Sequence, residues 1–91
     1  MILNSVTTGR FRKLFDKLPL QVQNQANNAY KIWEDDPHHP ALKFKKIHST
    51  IPVYSVRISL SYRAIGKLEK DTMIWFWIGN HNDYDNLINS L

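Results

Sequence analysis

The sequence predicts an α+β fold, in which an N-terminal strand and a helical hairpin pack on a mainly antiparallel four- to five-stranded sheet, followed by a short C-terminal helix. Three observations support this prediction. Apolar residues recur at helical spacing in the first third of the chain, they alternate with polar residues between positions 42 and 68, and every residue from Met73 to Ile78 is apolar. Strands that follow helices in a block are typical of α+β proteins with the helices on one sheet face.

The first elements are a strand and a helix. The apolar-rich segment Ile2 to Val6 predicts the strand, and Thr7 or Thr8 can cap the helix that follows. This helix ends at Pro19. Its apolar stripe is formed by Phe11, Leu14, Phe15 and Leu18.

A second helix completes the hairpin. Pro19 suits its first position, where the missing amide proton costs nothing. The acidic cluster Glu34 to Asp36 and then Pro37 end the helix, because a residue before proline is pushed out of helical geometry. Its apolar stripe is formed by Val22, Ala26, Ala29 and Trp33.

After a loop from Pro37 to Pro40, the pattern changes to strands. Met73 to Ile78 is expected to be a central strand covered on both faces, which Gly79 and Asn80 break. The tail from His81 is expected to form a short helix with Tyr84, Leu87, Ile88 and Leu91 inward. In the alternating strands, Leu42 and Phe44 oppose Lys43 and Lys45; Tyr54, Val56, Ile58 and Leu60 oppose Ser55, Arg57 and Ser59; Tyr62, Ala64, Gly66 and Leu68 oppose Arg63 and Lys67.

Length and charge limit the classes of function. The 91 residues, 43% of them hydrophobic, suffice for one small core, so residues 1–91 are predicted to form a single domain. The formal net charge of +4 favours nucleic acid or an acidic protein as partner. No carboxylate lies between Asp36 and Glu69, and alternation collects the cations of this stretch on one sheet face. A polyanion is the expected ligand.

Several classes of site are excluded or disfavoured. The sequence has no cysteine, which removes disulfides, thiolate catalysis and cysteine-bound zinc. It has no run of eighteen apolar residues and no signal-like N-terminus, so we expect a soluble, cytoplasmic protein with no membrane partner.

Two clusters allow a second interpretation. Asp35, Asp36, His38 and His39 carry good metal ligands, but adjacent histidines in an extended segment point apart and Pro37 separates them from the acids, so no metal site is expected. The aromatic residues Trp33, Trp75, Phe76 and Trp77 could stack on bases. Their places on an apolar stripe and in an apolar strand favour the core instead.

Five segments together resemble the RelE/ParE superfamily of bacterial toxin–antitoxin toxins: WEDDPHHP, LKFKKI, YSVRI, SYRAIGKL and WFWIGNHNDYDNLI. The resemblance is closer to the RelE, HigB and YafQ-like ribonucleases than to the gyrase-directed ParE branch. It implies a RelE-like fold and a ribosome-dependent endoribonuclease that cleaves mRNA without a metal or other cofactor. It also implies a co-expressed acidic antitoxin as partner, beside the ribosome and mRNA.

The resemblance implies four catalytic residues. Arg63 matches an arginine that contacts the scissile phosphate, and Arg57 supplies a second cation on the preceding strand. His81 follows the last strand, where relatives place an arginine or histidine near the scissile site. Tyr84 is the candidate aromatic residue for base stacking or proton transfer. Other roles stay open: solvated strand residues for the arginines, a structural cap for His81, and core packing for Tyr84.

The remaining cations of the basic stretch are candidates for RNA binding. Contact with an rRNA or mRNA backbone is assigned to Lys43, Lys45, Lys46 and Lys67, with Lys45 and Lys46 ahead of the other two, and a merely solvated face stays open as the alternative. His48 belongs to this group and is an alternative proton carrier. Two other functions stay open, a ParE-like inhibitor of DNA gyrase and a non-catalytic nucleic-acid-binding domain.

Overall fold

The computed structural model describes residue 2 and residues 4–90. Its elements, in chain order, are β1 (Asn4–Thr7), α1 (Gly9–Asp16), α2 (Leu20–Asp35), a 3-10 turn (Pro40–Leu42), β2 (Lys45–Lys46), β3 (Val53–Arg57), β4 (Tyr62–Glu69), β5 (Thr72–Asn80) and α3 (His81–Asn89). No helix within these described residues is long and apolar enough to cross a lipid bilayer.

The strands form one five-stranded sheet in the order β1-β5-β4-β3-β2. β1 pairs with β5 in parallel, and every other neighbouring pair is antiparallel. The predicted α+β fold, with its N-terminal strand, helical hairpin, mainly antiparallel sheet and C-terminal helix, is therefore confirmed. The first strand begins later than the predicted Ile2 to Val6, and Leu3 of that prediction lies outside the described residues.

The helical hairpin forms as its caps predict. The Thr8 side-chain oxygen accepts a hydrogen bond of 3.1 Å from the Phe11 amide and caps α1. Pro19 lies one position earlier than predicted, at the N-cap of α2 rather than inside it. The four predicted stripe residues of α2 are all buried, and the helix ends at Asp35, as the following Asp36 and Pro37 indicated.

The predicted strand from Leu42 to Lys45 is wrong in its first half. The His39 ring accepts a hydrogen bond from the Ala41 amide and caps a 3-10 turn that includes Leu42. Lys43 then adopts a left-handed backbone with φ of 48°, which interrupts the strand. Pairing starts only at Lys45, opposite Ser55. Alternation of side chains alone did not reveal this turn.

A β-bulge in β5 places two tryptophans on opposite faces of the sheet. Ile65 pairs with Trp77 whereas Gly66 pairs with Trp75, so Phe76 is the extra residue. Trp75 packs in the core under α1 and α2, and Trp77 packs with Tyr84 of α3. The central strand is thus covered on both faces, as predicted, but the helices do not all lie on one face.

The structure differs from two expectations near α3. Ser55, expected on the open polar face, is fully buried beside the second cluster. The strand β5 continues through Gly79 to Asn80, and the Asn80 side chain accepts a hydrogen bond of 2.8 Å from the Asp83 amide to start α3 at once. Leu87 and Ile88 pack inward as predicted, and Leu91 lies outside the described residues.

Candidate functional site

A cleft of about 390 Å³ lies between β2, the start of β4 and α3. We call it the α3 cleft. It is lined by Lys45, Lys46, Ile47, Arg63, His81, Tyr84, Asp85 and Ile88. It therefore brings together three of the four predicted catalytic residues and two of the predicted RNA-binding lysines.

The sheet fixes the relative positions of these residues. Arg63 pairs with Gly79, two residues before His81, so the start of β4 and the start of α3 are adjacent. The His81 amide donates a hydrogen bond of 2.7 Å to the Ser61 carbonyl and ties the helix to the β3–β4 turn. Lys45 enters from the edge, opposite Ser55 of β3. The cleft thus rests on paired strands rather than on loops.

Arg63 and Tyr84 form a stacked pair at the base of the cleft. The guanidinium carbon of Arg63 lies 5.2 Å from the centre of the Tyr84 ring, a cation–π distance. The Tyr84 side chain is only 5% exposed and also packs against Trp77. One guanidinium nitrogen, Nη1, is buried and has no hydrogen-bond partner in the protein. Arg63 therefore lines the cleft with a cation, while Nη1 itself is enclosed by protein and reaches a ligand only if the side chain moves.

His81 contacts Tyr84 on one side and an acid on the other. Its ring packs edge-on against Tyr84, with centroids 5.8 Å apart. Its Nδ1 lies 3.2 Å from Oδ2 of Asp85, one helical turn further on, and the two side chains are 49% and 57% exposed. Sequence reasoning missed Asp85, although the i, i+4 spacing of a histidine and an aspartate on a predicted helix was available as a signal.

The α3 cleft is electrostatically positive. It holds Lys45, Lys46 and Arg63, whereas Asp85 is the one carboxylate among its lining residues. A concave surface with excess positive charge raises the local concentration of anions. The cleft therefore suits a phosphate group better than a cationic or neutral polar ligand.

Arg57 takes a different place from the one expected. It pairs with Arg63 in the β3–β4 register, so the two backbones are adjacent. The residue lines a separate depression of about 180 Å³ beside α2 and the 3-10 turn, with Gln25, Asn28 and Leu42 among its neighbours. Because β3 ends at Arg57, alternation fixes the direction of this side chain less strictly than it does inside the strand. A catalytic role for Arg57 stays a prediction.

The other predicted RNA-binding residues lie outside the α3 cleft. Lys43 is exposed beside the 3-10 turn, and Lys67 pairs with Glu69 at 3.4 Å toward the other end of β4. The His48 ring accepts hydrogen bonds from the amides of Thr50 and Ile51 and thereby orders its own loop. The structure gives His48 a local structural role, and RNA contact by these three residues stays a prediction.

The residues considered as metal ligands serve local turns instead. The Asp36 carboxylate accepts a hydrogen bond from the His38 amide, and His39 caps the 3-10 turn. Among residues 2 and 4–90, no three histidine or acidic side chains come together as a metal site would require. The tryptophans belong to the core as expected, since Trp33, Trp75 and Trp77 are buried.

Comparison with known proteins gives one family match and several structural matches. Residues 20–86 match the ParE-like toxin domain family. No curated protein is similar enough in sequence to count as a match.

The structural matches span nearly the whole chain at low identity. A chain of the RelB-RelE antitoxin-toxin complex from Methanococcus jannaschii superposes with a TM-score of 0.72 and 16% identity, covering 90% of this chain and 96% of that one. YafQ from E. coli strain BL21(DE3) gives 0.72 and 13%, covering 89% and 96%. The isolated E. coli RelE toxin gives 0.65 and 17%, covering 97% and 98%.

Proposed function

The chain belongs to the ParE-like toxin domain family and is a toxin of the RelE/ParE superfamily, and from that premise we propose that it is a metal-independent endoribonuclease that cleaves mRNA on the ribosome. It would act in the cytoplasm, as the toxin of a type II toxin–antitoxin system that inhibits translation. The observation that carries the proposal is the α3 cleft, where an arginine, a half-exposed histidine and two lysines converge.

Metal-free cleavage of RNA uses the substrate's own 2′-hydroxyl. Its oxygen forms a bond to phosphorus, the bond from phosphorus to the 5′-oxygen breaks, and the products are a 2′,3′-cyclic phosphate and a 5′-hydroxyl. The protein must remove the 2′-hydroxyl proton and stabilise the charge that grows on the phosphorane oxygens. The departing 5′-oxygen takes its proton from a water molecule beside the half-exposed His81, and the hydroxide so formed takes up the proton that His81 removed.

Arg63 is assigned to the phosphorane. Its guanidinium lines the cleft and forms no ion pair with a carboxylate of the described residues, so its charge is available to a phosphate. A phosphate oxygen would accept a strong, charge-assisted hydrogen bond from it. The Tyr84 ring beneath the guanidinium keeps it in place, so the donor is oriented before substrate arrives.

His81 is assigned to proton transfer. Its Nδ1 faces Asp85, which leaves Nε2 for the 2′-hydroxyl. Tyr84 packs against the ring and is nearly fully buried, so we assign it to holding Arg63 and His81 rather than to carrying a proton. Lys45 and Lys46 would bind the RNA backbone at the rim of the cleft.

The expected partner is an acidic antitoxin. Two of the structural relatives were solved as complexes of RelE with RelB, from Methanococcus jannaschii and Pyrococcus horikoshii. A positive cleft that binds RNA needs a cover of opposite charge when the toxin is silent. We propose that an acidic segment of the antitoxin folds over Lys45 and Arg63 and excludes RNA from the α3 cleft.

The direct test is induction of the chain alone, followed by sequencing of RNA ends. We expect arrested growth and cuts inside coding regions, with 2′,3′-cyclic phosphate and 5′-hydroxyl ends. A His81→Ala variant induced to the same level is the control. Cuts that carry 5′-phosphates would indicate a metal-dependent hydrolase or a host nuclease and would contradict the proposed chemistry.

A second candidate function rests on the family match itself, which names ParE-like toxins. The sequence resemblance to the ParE branch implies inhibition of DNA gyrase by binding, which needs neither Arg63 nor His81 as a catalyst. A supercoiling assay with purified gyrase, run beside the translation assay, separates the two. Intact mRNA together with blocked supercoiling would establish this second function.

A further inference from the structure

We propose that Asp85 is a positioning residue for His81: its carboxylate holds the proton on Nδ1 and leaves Nε2 bare and directed at the substrate. The inference rests on the proposed function, because it gives His81 the protonation state that a general base needs. The juxtaposition that carries it is the 3.2 Å contact between His81 Nδ1 and Asp85 Oδ2 at the wall of the α3 cleft.

The choice of nitrogen follows from hydrogen-bond chemistry. An ionised carboxylate can only accept hydrogen bonds, so a bond to Asp85 requires a proton on Nδ1 of His81. A neutral imidazole then has its lone pair on Nε2. This is the arrangement by which an aspartate orients a catalytic histidine in unrelated enzymes, where it sets the tautomer and stabilises the imidazolium that forms.

The position of His81 at the start of a helix increases the stabilisation that the Asp85 carboxylate can give to a protonated ring. His81 is the first residue of α3, where the helix dipole disfavours positive charge. Taking a proton from the 2′-hydroxyl creates positive charge at this point. Asp85 is the lining carboxylate that can offset that charge inside the cleft.

A structural alternative is available and gives different results. An i, i+4 pair of exposed side chains on a helix adds only about 0.2–0.5 kcal/mol of helix stability. If that were the whole role of Asp85, its loss would leave the ring nitrogens and the chemical step unchanged. The test therefore reads the nitrogens themselves and not only activity.

The experiment is long-range ¹⁵N–¹H NMR of the isolated chain at a pH where the histidines are neutral. The His81 signals are identified by their loss in His81→Gln. We expect His81 of the wild type to carry the proton on Nδ1. In Asp85→Ala the population should shift toward the form protonated on Nε2, and in Asp85→Glu most of the ring should keep the proton on Nδ1. Asp83→Asn, on the same exposed turn but outside the cleft, is the matched control and should change nothing.

The same variants are then compared in single-turnover cleavage on saturating ribosomes. Asp85→Ala should slow the step on the order of 10-fold, less than removal of a general base, which costs about 100- to 10,000-fold. A wild-type ring protonated on Nε2, or an unchanged rate after the tautomer shifts, would overturn the inference. If wild type cleaved nothing, the proposed function would fail, and the nitrogen signals would still decide whether Asp85 sets the tautomer.

Discussion

Arg63 and Tyr84 act as one unit at the scale of single residues. The guanidinium lies over a ring that is buried between the sheet and α3, so the side chain has lost most of its freedom before any ligand binds. Such preorganisation is valuable because the donor need not be ordered at the moment of reaction. It also means that the tyrosine ring matters more than its hydroxyl.

Substitutions at Arg63 and Tyr84 should therefore separate three contributions: the charge of the guanidinium, the packing of the tyrosine ring and the tyrosine hydroxyl. Arg63→Ala should lower the single-turnover rate about 100- to 1000-fold, the usual effect of losing one preorganised donor. Tyr84→Phe keeps the ring under Arg63 and should cleave at nearly the wild-type rate. Tyr84→Leu removes the platform and should reduce the rate and the stability together. Rates are measured by quench-flow on saturating ribosomes, and folding is checked by urea denaturation.

The outcome for Tyr84→Phe is decisive for the tyrosine. A rate as low as that of His81→Ala would assign proton transfer to the Tyr84 hydroxyl and would contradict the packing role. Arg12→Ala serves as the control for arginine loss. Its side chain donates to the Thr7 carbonyl just before α1, and it is not among the lining residues of the α3 cleft.

At the scale of elements, the bulge in β5 determines what α3 can cover. Without the extra residue at Phe76, Trp75 and Trp77 would lie on the same sheet face, as residues two apart do in a regular strand. The bulge instead sends Trp77 to the α3 side, where it supports Tyr84. Gly66 pairs with Trp75 next to the bulge and leaves room for the indole. The packing of Tyr84 beside the α3 cleft thus depends on the bulge in β5.

Gly66→Ala is expected to destabilise the fold. A Cβ at this position would lie 2.8 Å from both the Met73 sulfur and the Trp75 ring, so fully packed side chains would have to move. Overpacking of this kind costs about 1–3 kcal/mol of the free energy of unfolding. Gly9→Ala is the matched control. Its Cβ would have no neighbour closer than Arg12 at 3.9 Å, and a helix favours alanine over glycine by up to about 1 kcal/mol.

Urea denaturation followed by tryptophan fluorescence measures both variants. The midpoint should fall for Gly66→Ala and stay or rise for Gly9→Ala. Equal midpoints for the two proteins would show that the sheet adapts beside the bulge, and the account of how Trp75 and Trp77 are separated would need revision.

The elements that periodicity predicted correctly are those whose register is set by the core. The stripe of α2, the caps at Thr8 and before Pro37, and the apolar β5 all follow from local chemistry and burial. The short β2 could not be predicted, because the left-handed Lys43 and the His39 cap depend on contacts that a period-2 pattern does not record. The bulge at Phe76 could not be predicted either, because an all-apolar strand has no alternation of polar and apolar residues that a bulge would interrupt.

The sequence predicted several of the residues that line the α3 cleft. Arg63, His81 and Tyr84 were predicted from the resemblance to the superfamily, and the structure brings them to one cleft. The alternation argument placed Arg57 with them, but β3 ends at Arg57, and this residue lines another depression beside α2. Asp85 was not predicted, because a role for a carboxylate does not follow from a basic sheet face.

At the scale of the whole molecule, the positive charge is largely uncompensated. Among the residues that the structure describes, Lys67 is the one lysine or arginine that forms an ion pair, with Glu69. The remaining cations are free to meet phosphates or an acidic protein. Lys45 and Lys46 form the exposed strand β2 and line the α3 cleft. Binding and chemistry should therefore be separable in this protein.

Lys45→Ala and Lys46→Ala should weaken association with ribosomes and leave the single-turnover rate at saturation nearly unchanged. Each lost phosphate contact should reduce the slope of log affinity against log salt by about 0.7 to 1, because fewer counterions are released on binding. Lys31, an exposed cation on α2 away from the cleft, gives the matched control, and Lys31→Ala should keep the wild-type slope.

A Lys45→Glu variant should also bind the acidic antitoxin more weakly, since the proposed antitoxin segment lies over the same residue. An antitoxin affinity that is unchanged in Lys45→Glu would show that the antitoxin binds outside the α3 cleft. A salt slope equal to that of the wild type in both Lys45→Ala and Lys46→Ala would remove β2 from the RNA-binding surface.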